Sequence, residues 1–147
     1  MTLARRTAAL AVPVLLLLAC DSSTDPGSDL PGGLFISLNG TVVVHGTGTA
    51  VDGAIHLHLE EYSGLFIAEV LNERGRALDP DPGLRLEAVI ADATKAAWLP
   101  PSEGALRGEF DIFAEGATTI VFRVLRQGSS TPEWTSPPVP LVIVACQ

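Results

Sequence analysis

The chain has 147 residues, 17 of them acidic against 9 basic, for a formal charge of −8, and nearly half of it is apolar. Its single lysine, Lys95, and arginines scattered from Arg74 to Arg126 form no basic cluster to follow a phosphate backbone, which excludes nucleic acid as a partner. A surface of this sign is also repelled by anionic headgroups, so a basic patch cannot supply membrane attachment.

Arg5 and Arg6 place positive charge near the start, residues 7–18 form an apolar run, and Leu17-Leu18-Ala19-Cys20 ends that run on a cysteine behind a small residue. The run falls short of the roughly 20 apolar residues that cross a bilayer, and a polar stretch begins at Asp21. These residues resemble a bacterial lipoprotein signal. The resemblance implies that residues 1–19 leave as a signal peptide and that Cys20 carries a diacylglycerol on its sulfur and an acyl chain on its new amine. The mature protein would then be held by lipid on a membrane of the cell envelope, on its periplasmic side or outer face, without spanning it. Each buried CH₂ strengthens such an anchor by about 0.8 kcal/mol. Loss of the two leader arginines takes the formal charge to −10.

Residues 20–33 follow as the lipidated cysteine and a flexible tether rich in Gly, Pro, Ser and Asp, with a reach of roughly 20 Å as a random coil. With Cys20 in a thioether, Cys146 has no internal partner. It either ends the last strand as a small apolar side chain or pairs with another chain.

Residues 34–147 read as one domain built of strands. Residues 34–38 and 41–45 are apolar or β-branched runs divided by Asn39-Gly40, a turn signal that also matches a glycosylation sequon. Residues 54–60 alternate as A-I-H-L-H-L-E, the period of a strand with one buried face. Further strand signals cover 65–71, 84–91, 106–114, 118–125 and 139–145, separated by turns such as 72–75 and the loop Asp79-Pro80-Asp81-Pro82-Gly83. Seven or eight short strands predict an antiparallel β-sandwich. The best helical stretch, 90–98, is short, unperiodic and stopped by Pro100-Pro101, which limits it to one turn. Prolines 137, 138 and 140 lack a ladder donor and place the start of the last strand at a sheet edge.

The stretch Gly108-Glu109-Phe110-Asp111-Ile112, then Glu115-Gly116-Ala117-Thr118-Thr119-Ile120-Val121-Phe122, then a final apolar strand, resembles the C-terminal half of bacterial immunoglobulin-like domains. That resemblance implies a Greek-key sandwich used for adhesion, spacing or presentation, and it supplies no catalytic residues. The chain holds one copy with no internal period.

His45, His56 and His58 are the only histidines and fall close together. Alternation puts His56, His58 and Glu60 on the wet face of one strand. A hairpin centred between Ala50 and Val51 would set His45 opposite His56, gathering three imidazoles to hold zinc or copper. The same residues also serve simply as the solvated face of a sheet. Asp79 and Asp81 offer oxygen ligands for calcium or a rigid polar turn. Ser63, in Glu61-Tyr62-Ser63-Gly64-Leu65, lacks the first glycine of a nucleophile elbow. Trp98 and Trp134, beside prolines, read as plugs of core or loop, with an exposed ligand platform as the other use. No activated nucleophile or acid–base pair is in place for an enzyme. The expected function is a non-enzymatic envelope lipoprotein that binds or presents an unidentified protein or ligand. The alternative is a metal-binding envelope lipoprotein using the three histidines.

Overall fold

The computed structural model describes residues 30–59, 63–100 and 105–145. The leader, Cys20, the tether to residue 29, Glu60 and Cys146 lie outside the described residues. Among the described residues there is no helix and there are eleven strands: β1 (Pro31–Leu38), β2 (Thr41–Thr47), β3 (Ala50–Gly53), β4 (Ile55–His58), β5 (Phe66–Asn72), β6 (Leu84–Ile90), β7 (Ala96–Leu99), β8 (Arg107–Ile112), β9 (Gly116–Arg126), β10 (Pro132–Thr135) and β11 (Val139–Val144). They form an all-β sandwich of two sheets. One runs β3-β2-β1-β5-β8-β7; the other runs β10-β9-β11-β4, with β6 on the opposite flank of β9.

Alternation decides which side chains meet between the sheets. Leu34, Ile36, Val44, Phe66 and Val70 point inward from the first sheet and are buried against Leu86, Ile120, Phe122, Val124, Leu141 and Ile143 of the second. Each such side chain contributes about 1.5–3 kcal/mol by leaving water. Phe110 meets Phe66 edge-on at 5.0 Å and Trp98 at 5.0 Å, and Trp98 also reaches Phe122 of the opposite sheet at 6.3 Å. The sheets are therefore sewn together by aromatic edges as well as by aliphatic packing.

The turn at Asn39-Gly40 forms as expected. Both residues have positive φ, 50° and 81°, the pair that a two-residue type I′ hairpin needs. The turn after β5 is built on Asn72, whose Oδ1 accepts from the N–H groups of Arg74 and Arg76.

One expectation changes. The tether was expected to reach residue 33, but β1 begins at Pro31, and Pro31 and Gly33 pair with Asn72 and Leu71. The glycines here serve contact rather than flexibility: a Cβ on Gly32 would lie 2.5 Å from Glu73 Cα, and one on Gly33 would overlap Gly46 C=O. Residues 90–98 contain no helix and only the single turn expected, in which Lys95 N–H donates to Asp92 C=O at 3.1 Å. Asp92 takes the N–H and hydroxyl of Thr94 at 3.0 and 2.6 Å, a local side-chain turn that competes with helix, and the chain resumes as β7.

The start of the last strand has one open flank, as its prolines predict, and only its later residues are interior. β11 pairs antiparallel with β9 and parallel with β4. Its prolines are accommodated because the ladder with β4 starts only at Leu141, after Pro140. β9 itself serves three strands, with β6 along one flank and β11 and then β10 along the other.

Candidate functional site

The hairpin that would set His45 opposite His56 does not form. β2 and β3 turn over residues 48–49 and pair with each other, so His45 faces Asp52. Gly53, at φ 99°, then turns the chain out of the first sheet, and a Cβ there would overlap Val43 C=O. After Ala54 the chain enters the second sheet, where parallel pairing sets His56 against Val142 and His58 against Val144.

His56 and His58 are both exposed and alternate with buried Ile55 and Leu57, as the period-two pattern predicts. His45 lies on the outer face of the other sheet, between buried Val44 and Gly46. Its ring is tilted 32° over Phe35 at a centroid distance of 4.3 Å. Among the described residues no group of three or more His, Cys, Asp or Glu is gathered to hold a metal ion.

The Asp79 to Gly83 loop is a charged turn. Asp81 Oδ1 accepts from Gly83 N–H at 2.7 Å, and Oδ2 accepts from Arg126 Nη1 at 3.0 Å. The Gly83 amide first, then the guanidinium, hold the Asp81 carboxyl below the usual carboxylate value. Arg126 also grips Glu133, through Nε–Oε1 at 2.7 Å and Nη2–Oε2 at 3.3 Å, and these two carboxylates raise its own pKa. Asp81 thus has both oxygens committed within the fold.

Ser63 is buried and equally committed. Its Oγ accepts from Phe110 N–H at 2.9 Å and donates to Gly64 C=O at 3.3 Å. Ser136 does the same for Phe122, accepting from its N–H at 2.9 Å and donating to Pro137 C=O at 2.8 Å. Sequence reasoning passed over Ser136. Its position ahead of Pro137-Pro138, where the backbone has no donors to offer, is the signal that could have found it.

The two tryptophans differ in burial. Trp134 is buried, its ring edge 3.1 Å from where a Cβ on Gly46 would stand. Trp98 is half-buried and lies flat over Gly108, where a Cβ would overlap its indole. It also lines a groove of about 720 Å³ along the outer edge of β6, with Arg85, Glu87, Pro100 and Ser129 among the other walls. Arg85 Nη2 is held by Ser129 C=O at 3.2 Å, and Glu87 pairs with Arg123 at 3.5 Å. The Trp98 Nε1–H is buried and has no acceptor among the described residues. An apolar ring flanked by a held cation and a carboxylate can seat a small ligand with one flat face.

No family model, curated protein or solved structure matches this chain.

Proposed function

We propose that this chain is a lipid-anchored envelope lipoprotein whose folded part is a non-enzymatic, immunoglobulin-like module for binding or presentation. The strand order carries the reading. β1-β5-β8-β7 in one sheet and β6-β9-β11 in the other correspond to the A-B-E-D and C-F-G orders of that fold. The β2–β3 hairpin enters as an insertion after the first strand, and β10 as an insertion before the last. The inter-sheet cystine and packed Trp of antibody domains have no counterpart on β5, β9 or β6. Phe66, Phe110 and Phe122 supply the bulk of the core instead.

The anchor rests on Leu17-Leu18-Ala19-Cys20 behind its apolar run. Intact-mass spectrometry of the chain isolated from bacterial membranes is expected to give an N-terminus at Cys20 carrying diacylglycerol. Cys20→Ser is expected to move the protein from the detergent phase to the aqueous phase. An unmodified Cys20, or cleavage elsewhere, overturns the anchor. Among the described residues, the groove beside Trp98 offers one surface for a ligand.

A further inference from the structure

We propose that His56 and His58 form one half of a zinc site that is completed by the same two residues of a second copy of this chain. Both imidazoles are exposed on one face of β4, two residues apart. A strand rises about 3.3 Å per residue, which separates their backbones by about 6.6 Å. Rings at that spacing can close on one ion with Zn–N bonds of about 2.0–2.1 Å.

Zinc takes four ligands, and among the described residues only two stand at the spot. On one side the neighbours are Val142 and Val144, which cannot ligate. On the other side β4 is the terminal strand of its sheet. His45, the remaining imidazole, is on the outer face of the opposite sheet. Among the described residues none supplies the missing donors.

A second copy fits the surroundings. A two-fold contact brings identical patches together, so one His-x-His edge meets another and four nitrogens surround one ion. The same contact covers the apolar residues beside the pair, Val144, which is 43% exposed, and half-buried Val142. The metal supplies direction, and the valines supply area to remove from water.

The test is zinc chloride titrated into the full-length chain in mild detergent, followed by sedimentation velocity and calorimetry. The expected result is a doubling of protein mass at one zinc per two chains, reversed by EDTA. His56→Ala and His58→Ala should each abolish the doubling and weaken zinc binding by about tenfold or more, while His45→Ala changes neither. Cobalt(II) in place of zinc should give strong tetrahedral visible absorption in the unmodified dimer, a readout that does not depend on any variant folding. Binding of one zinc per chain without dimerisation, a dimer that forms without metal or survives both substitutions, or no zinc binding at all would each overturn the proposal.

Discussion

The hydroxyl of Ser136 accepts a hydrogen bond from Phe122 N–H and stands in for a strand residue at the point where β10 has ended and β11 has not begun. Pro137 and Pro138 occupy the gap, so the flank of β9 would otherwise leave an amide of the central core strand unsatisfied. Ser136→Ala should destabilise the fold by about 1–3 kcal/mol, the cost of a buried donor with no partner. Urea unfolding measures it, and a midpoint within error of the parent would refute the role.

A second prediction concerns Gly108. Its missing Cβ is the space that the Trp98 indole occupies. Gly108→Ala should cost about 1–3 kcal/mol through overpacking and shift the Trp98 fluorescence, read on a Trp134→Phe background. Trp98→Leu in the same chain should recover part of the loss, because the two sites share one volume. Strict additivity of the two substitutions would show that the ring does not rest there.

Gly40 makes the opposite case. A Cβ added there meets nothing within 4 Å, but the residue holds φ 81°. Gly40→Ala should therefore destabilise by about 1–2 kcal/mol through backbone strain alone, with no recovery from any neighbouring substitution. Thermal unfolding of Gly40→Ala beside Asn39→Gly, which removes strain from the same turn and should be close to neutral, separates conformation from contact.

Acid should weaken the fold through Asp81 and Asp92. The Gly83 amide and Arg126 lower the first, and the Thr94 hydroxyl and amide lower the second, both from the ordinary 3.8. A carboxyl lowered by folding stabilises the native state fully above its unfolded value, and that stabilisation is lost as pH falls through its folded value. The melting temperature should hold steady from neutral pH to about 5 and decline below about 4. Both groups are exposed, so the contribution is modest. Asp92→Asn keeps an acceptor for Thr94 and should make the decline shallower; an identical pH profile would remove Asp92 from the account.

Local chemistry was legible in the sequence and long-range pairing was not. Asn39-Gly40, the Asn72 turn and the outward placing of His56 and His58 all follow from turn residues and period two, which act over a few positions. β3 is hidden because Ala50 to Gly53 carries one apolar β-former among small and polar residues. β10 was hidden by its length and by Pro132 at its start. The histidine hairpin failed for a different reason. Neighbouring strands in sequence were assumed to be partners, whereas Gly53 sends β4 to the other sheet and to a strand near the far end of the chain. No pattern inside residues 54–60 reports that choice, because register and partner are decided by surfaces that meet only in the folded state. The Trp98 groove was equally out of reach, since its walls come from β6, β7 and the turn after β9.

The parallel pairing of β4 with β11 bears on when the protein can fold. β4 is made early and has no ladder partner until β11 arrives, and β11 in turn completes the flank of β9. β6, β9 and β10 can pair first, but β4 joins the second sheet only when one long loop shuts, a step that slows folding. A chain built this way keeps its β4 flank open until the last strand has been delivered.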